Sequence, residues 1–307
     1  MKKVFKFFKI ILILALLVFL LIRLNYVLRD KEYASVQDNF ANLEKDSVDI
    51  VFVGASHCFC SIDPYMIKEK TGKEVFVLST SAQTVPESYY AVMEAIEIQH
   101  PKTIYMEVQY CVNDFTIVMP HSFFDGMPNC KAKYLGIKDL IPKDEQSSFY
   151  INLGAYHTRW KNLKEKDYQS NLTAPMGEYV SNDVIYQQPF PIVPMEETEQ
   201  MPEISRKYLD RIIELCREND VELVLFCAPY GMLYVDEDQE KLLCSQQKIL
   251  NSIYDIAEEN GLEYYDMFHE MDKIGIDEAT DWKDTQHFNA SGQQKFTAYM
   301  LKKGYIR

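Results

Sequence analysis

Residues Asp49–Asp63 read DIVFVGASHCFCSID. The apolar run Ile50–Val53 breaks at Gly54 and sets Ser56 just past its end, the pattern of a buried strand that hands a side chain to a turn at the edge of a sheet. A serine so placed can meet substrate while its own backbone N–H helps hold an oxyanion. A strand-end serine also caps the turn or helix that follows, so a nucleophilic reading needs a base elsewhere in the chain. The far C-terminus offers one in Asp281–Gly292, DWKDTQHFNASG, where Asp284 precedes His287 by three residues. At that spacing a carboxylate accepts from one imidazole nitrogen and leaves the other facing a hydroxyl. The alternative is a capping aspartate beside a surface histidine. Asp281 is a rival orienter or a loop brace, and His57 is a turn residue that also competes as a base.

Outward from Ser56, the pattern alternates between short apolar runs and amphipathic stretches. Pro64 opens a helix that runs to about Thr71 and stops at Gly72; Val75–Leu78 is a second buried strand. The small-residue loop Ser79–Thr84 leads to a helix from about Glu87 to Gln99, and Thr103–Val108 is the third strand. From about Cys111 to Met201 the period is lost, which implies a long insertion over the active edge. Regular structure returns with a helix over about Glu203–Asn219, a strand at Leu223–Cys227, a helix over about Gln239–Asn260, a short strand at Glu263–Tyr265 and a last helix from Ala290. Such alternation predicts an α/β fold: a parallel sheet of about five strands, covered on both faces, binding ligands beyond the carboxyl ends of its strands. Ser56, the Ser79–Thr84 loop and the Gln109–Asp114 loop all fall at that edge. Candidate oxyanion and substrate groups there are the Ser56 N–H, the backbone of Ser81–Gln83, and the amides of Gln83 and Asn113. In the insertion, His157, Arg159 and Trp160 form a patch in which a cation beside an indole suits a sugar or an anion, or makes a structural contact. Asn171-Leu172-Thr173 matches a glycosylation sequon.

The N-terminus carries Lys2, Lys3, Lys6 and Lys9 ahead of the uninterrupted apolar run Ile10–Ile22. With lysines reaching the headgroups, a helix from about Phe5 to Tyr26 spans a bilayer core of about 30 Å. A cleaved signal peptide competes with this reading, but no small-x-small site follows the apolar run. An anchor implies residues 1–29 as cytoplasmic tip and membrane span, 30–48 as a stalk, and 49–307 as a domain placed outside by the positive-inside rule. The formal net charge of −14, without a concentrated basic face, argues against a nucleic-acid binder. Seven cysteines form no metal pattern, and Cys58-Phe59-Cys60 has one intervening residue where zinc knuckles have two. Neither a metal nor a cofactor is expected.

Gly54-Ala55-Ser56-His57 after a first strand, with Asp284-x-x-His287 before the last helix, resembles the SGNH (GDSL-like) hydrolases. Within these the chain is similar to the membrane-anchored DltD-like and alginate-O-acetylation-like branches. The likeness runs from Asp49 to the C-terminus and takes in Gln83, the His157–Trp160 patch and His287-x-Asn289-x-x-Gly292. It implies a flavodoxin-like three-layer fold with Ser56 as nucleophile, His287 as base and Asp284 as its orienter. It departs from the family in lacking the second-block glycine and the third-block Gly-x-Asn. The expected activity is extracytoplasmic acyl transfer onto a cell-envelope glycan or polymer, with a polytopic membrane acyltransferase as donor. A carbohydrate esterase and a non-catalytic glycan-binding protein on the same scaffold are the alternatives.

Overall fold

The computed structural model describes residues 2–114, 118–151, 153–168, 174–186, 195–230 and 237–307. In chain order the elements are α1 (Lys2–Leu28), α2 (Lys31–Ala41), β1 (Ile50–Gly54), α3 (Ser56–Ser61), α4 (Pro64–Thr71), β2 (Val75–Ser79), α5 (Val85–Gln99) and β3 (Thr103–Glu107). There follow α6 (Pro120–Phe124), α7 (Lys131–Leu140), α8 (Gln146–Tyr150), α9 (Leu153–Tyr156), α10 (Glu203–Glu218), β4 (Glu222–Cys227), α11 (Glu237–Asn260), β5 (Glu263–Asp266), α12 (Met271–Ile274) and α13 (Ala290–Lys303). The five strands are all parallel, in the order β2-β1-β3-β4-β5. This is the flavodoxin-like doubly wound order, in which the order of strand addition reverses between β1 and β3.

Because side chains alternate across a strand, the central strands feed two cores. Val51, Val53, Ile104, Met106, Leu223 and Leu225 pack under α5 and α10 on one face. Ile50, Phe52, Tyr105, Val224 and Phe226 pack under α3, α4 and α13 on the other. The turn into α5 is closed by a capping box, with Thr84 and Glu87 each satisfying the other's backbone N–H. The second face carries both ends of the candidate site, because the helix that follows β1 and the last helix of the chain lie side by side on it.

Two sequence expectations need correction. Residues 30–48 are not a stalk: α2 packs on β2, and Phe40 is fully buried against Phe76 at a centroid distance of 5.0 Å. The segment reads as polar because its apolar residues occupy one face of a short helix. The insertion is likewise not merely a cover. Phe123, Phe124, Ala132, Ile137 and Phe149 join the core beneath α5, where short helices of five to ten residues leave too few turns for a visible helical period.

Residues 174–186 return along the edge of the sheet. The Met176 carbonyl accepts the Val77 N–H at 2.9 Å. Gly177 is required there: it has φ of +72°, and a Cβ would lie 2.0 Å from the Val77 carbonyl oxygen. Ser181 then accepts the Ala290 N–H, and Ile185 donates to Trp282, so this strip is stitched to the loop that carries His287. The sequon Asn171–Thr173 lies outside the described residues.

Helix α1 is long and apolar enough to cross a membrane from Val4 to Leu28, with mean hydropathy 2.8 and no buried residue in its apolar window. Its last turn is held by the domain. Arg159 donates to the carbonyls of Leu28 at 2.8 Å and Arg29 at 2.5 Å, and Asn25 accepts the Leu153 N–H at 3.0 Å.

Candidate active site

Strand β1 ends at Gly54, and Ser56 is the first residue of α3. A helix, where the sequence suggested a turn, therefore starts at the serine, and the Ser56 N–H at its first position has no partner within the helix. Ser56 is half-buried.

The opposing loop is built around an isolated antiparallel bridge between Trp282 and Phe288. Both rings are buried, at 1% and 2% exposure, and they meet at 4.6 Å between centroids. The His287 carbonyl accepts the Lys283 N–H at 3.0 Å, which closes the loop. Asp284 sits at its tip, where one carboxylate oxygen accepts the backbone N–H groups of Gln286 and His287, each at 2.9 Å. A carboxylate fixed by its own backbone is a rigid acceptor for the imidazole.

His287 Nδ1–H donates to Asp284 Oδ1 at 2.8 Å and Oδ2 at 3.0 Å. That assigns the proton to Nδ1 and leaves the Nε2 lone pair free; Ser56 Oγ–H donates to it at 2.7 Å. The structure thus brings Ser56, His287 and Asp284 into one hydrogen-bonded chain. Burial holds His287 below the ordinary histidine range against the pull of Asp284, and Lys283 acts in the same sense as burial. For Asp284, burial pushes the carboxyl up, but the Gln286 N–H, His287 and Lys283 outweigh it, so it stays below the usual carboxylate range. Acid and base are therefore separated as acyl chemistry requires: an ionised carboxylate beside a neutral imidazole.

Lys283, whose Nζ is 3.1 Å from Asp284 Oδ2, is a site residue that the sequence reading passed over. Its place directly before Asp284 is the local signal that could have found it. Asp281 serves as the loop brace: fully buried, it accepts the Asp277 N–H at 2.7 Å and pairs with Lys295 at 2.6 Å. His57 is no base. It is 4% exposed, stacks on Tyr230 at 5.2 Å and lies 4.8 Å from the His287 ring, and burial drives its pKa down to about 3. The Cys58 and Cys60 thiols are buried and pushed well up, Cys60 to about 12, so neither is a nucleophile at neutral pH.

The remaining candidates divide. Ser81 lines a cavity of about 500 Å³ that is also bounded by Phe59, Thr80, Tyr179 and, from α2, Ser35 and Val36. Neither Ser56 nor His287 lines it. It adjoins the Ser56–His287–Asp284 chain through Phe59, one turn after Ser56, and through Tyr179, whose ring meets Phe59 at 5.3 Å and the Lys283 ammonium at 4.8 Å. Gln83 is not available as an oxyanion donor. Its Oε1 accepts the Thr80 N–H and O–H, each at 3.0 Å, and its Nε2 donates to Ser88 at 3.1 Å, so the buried amide braces its own loop. That leaves the Ser81 and Ala82 N–H groups uncommitted among the described residues, with Ala82 in the left-handed region at φ +53°.

Asn113 is exposed and lines a second cavity of about 280 Å³ with Thr84, Tyr110 and Ser205. The patch His157–Trp160 lies at the end of α1. Arg159 is committed to Leu28, Arg29 and Asp167, His157 Nδ1–H donates to the Gly154 carbonyl at 3.0 Å, and the cation nearest the exposed Trp160 ring is Lys161, at 5.8 Å. The spacing of these residues suggested a binding patch because the sequence does not show the helix end that Arg159 satisfies.

No protein-family model matches the chain, and no curated protein matches it. Among solved structures it is similar to a GDSL-like lipase from Bacteroides thetaiotaomicron, at 11% identity over 90% of this chain and 98% of that one, with a TM-score of 0.42. A candidate acylhydrolase from Bacteroides fragilis matches at 10% identity over 89% of this chain and 95% of that one, also with a TM-score of 0.42. Such distant likenesses carry no chemistry over to Ser56, which rests on its own geometry.

Proposed function

We propose that the protein is a serine-dependent acyltransferase or esterase of the SGNH kind, anchored by α1 and acting outside the cytoplasm on a cell-envelope glycan or polymer. The observation that carries this reading is the Ser56 Oγ–H to His287 Nε2 hydrogen bond at 2.7 Å, with Asp284 on the opposite ring nitrogen. Ser56 Oγ bonds to the acyl carbonyl carbon as its proton passes to His287 Nε2. The tetrahedral intermediate collapses as His287 returns that proton to the leaving oxygen or sulfur of the donor. An acceptor hydroxyl then attacks the acyl-serine, giving its proton to His287, which restores the Ser56 hydroxyl. The Ser56 N–H at the start of α3, and the Ser81 and Ala82 N–H groups, are the donors for the oxyanion.

The grip of Arg159 and Asn25 on the last turn of α1 favours a retained anchor, since a cleaved leader would take those contacts away. The about 500 Å³ cavity lined by Ser35 and Val36 lies close in the chain to the end of that helix, which suits a donor delivered from the membrane side, including by a polytopic acyltransferase of the DltD-like arrangement.

The test is intact-mass analysis after incubation with a fluorophosphonate and with an activated acetyl ester, beside Ser56→Ala and His287→Ala. An adduct on Ser56 that both substitutions abolish is expected; no adduct at any pH from about 6 to 9, where a histidine base is neutral, favours a binding protein. Turnover that rises with added glycan identifies transfer, and turnover indifferent to glycan identifies hydrolysis.

A further inference from the structure

Glu107 is the last residue of the central strand β3 and is 1% exposed, yet the chemistry proposed above makes no use of it. It lies on the same face of the sheet as the triad, beside Gly54. A Cβ built on Gly54 would be 2.9 Å from the Glu107 Cβ and 2.9 Å from the Cys58 Cβ, so strand end, glutamate and first helical turn are in direct contact. One carboxyl oxygen accepts the Gln109 N–H at 3.0 Å; the other makes no hydrogen bond of normal geometry, although the Ala228 N–H after β4 is close enough to favour the ionised form. Across Gly54, in register, stands Ser79, whose hydroxyl faces the Cys58 thiol. An apolar side chain would fill the space under α3 without the desolvation cost of a buried carboxyl.

We propose that Glu107 is a positioning residue for Ser56: wedged under Gly54 and Cys58, with its carboxyl holding the Gln109 N–H of the loop that leaves β3, it sets the turn that presents the nucleophile. This rests on the reading of Ser56 as nucleophile. Burial pushes the Glu107 pKa up to about 8, so the group is a neutral acid in the working range. The titratable groups facing it are Cys58 from α3, Tyr110 and Cys111 from the turn after β3, and Cys227 from β4, all pushed up by burial and uncharged there. Ionised Glu107 would put a negative charge beneath the turn at which the oxyanion forms and oppose it.

The experiment follows fluorophosphonate labelling of Ser56 and ester turnover from about pH 5.5 to 9.5 on full-length protein in detergent, comparing wild type, Glu107→Gln and Glu107→Leu. Glu107→Leu is expected to lower the labelling rate and kcat by about 30-fold or more with KM within about twofold. Glu107→Gln, which keeps the acceptor and cannot ionise, is expected to stay within about threefold of wild type at pH 7 and to lose the wild type's decline above about pH 8. A Glu107→Leu protein as active as wild type overturns the proposal, as does a Glu107→Gln protein as impaired as Glu107→Leu. If Glu107→Leu does not fold, an alkaline decline that persists in Glu107→Gln overturns it. A wild type that takes no label at all removes the nucleophile reading and this role with it, an outcome distinct from a labelled wild type whose variants match it.

Discussion

Ser56 Oγ and His287 Nε2, from residues 231 apart in the chain, lie 2.7 Å from each other. They meet because α3 and α13 pack side by side on one face of the sheet: Thr297 of α13 donates to the Ser61 carbonyl at 3.1 Å and accepts the Asp63 N–H at 2.9 Å. Gln293 adds bonds to the carbonyls of Phe59 at 3.0 Å and Ile62 at 2.9 Å. The Ser56–His287 pair is thus held by the interior of the fold.

Loss of the orienting carboxylate is expected to act on the chemical step. Asp284→Asn would lower kcat by on the order of 10⁴ with little change in KM, because the imidazole loses its anionic partner and its fixed tautomer. Steady-state kinetics on the acetyl ester check this; an effect confined to KM would place Asp284 outside the chemistry.

On the proposed chemistry, acid switches activity off through His287. With its pKa held down by burial, kcat/KM is expected to rise with pH with its midpoint below the ordinary histidine value of about 6.5. A midpoint above that value would contradict a buried base.

Stability should show the same direction through His57. Its pKa of about 3 means that, between there and the unfolded value, the native state binds fewer protons, so stability present above that unfolded value is lost as pH falls. His57→Phe keeps a ring against Tyr230 and cannot charge; it should gain on wild type at about pH 4 relative to pH 7 in urea midpoints.

Gly54→Ala forces a methyl into the space between Cys58 and Glu107. Overpacking of this kind costs about 1–3 kcal/mol and should displace Ser56, so the labelling rate would fall further than thermal stability suggests.

At the end of α1, Arg159→Ala leaves Asp167, 2% exposed on its side chain, without its partner guanidinium. With a quarter of the arginine exposed, a loss of about 2–3 kcal/mol is expected. Limited proteolysis should cut the junction after Leu28 faster in the variant than in wild type.

The strand–glycine–serine run at Ile50–Ser56 and the Asp284–His287 spacing were legible because they are local: burial shows as apolar runs, and a three-residue offset shows on its face. The alternation of strands and helices carried the α/β class and the five-stranded parallel sheet for the same reason. Lys283, Glu107 and the true duty of Gln83 were not legible, since each is defined by what it touches. Gln83 looked like a free amide until Thr80 and Ser88 occupied it. The Arg159 patch, open between a ligand site and a structural contact, was decided by the end of α1, whose carbonyls it holds.

By itself, then, the sequence determined the apolar helix at the N-terminus, the run of parallel strands and the two short segments that hold Ser56, Asp284 and His287. Those properties follow from hydrophobic period and turn chemistry, which act over a few residues. Tertiary structure alone decided that α2 belongs to the core, that Asp284 rather than Asp281 faces the imidazole, and that a buried glutamate sits beneath the turn that carries Ser56. These depend on packing between residues far apart in the chain, where burial and the pairing of polar groups choose among side chains that are chemically alike.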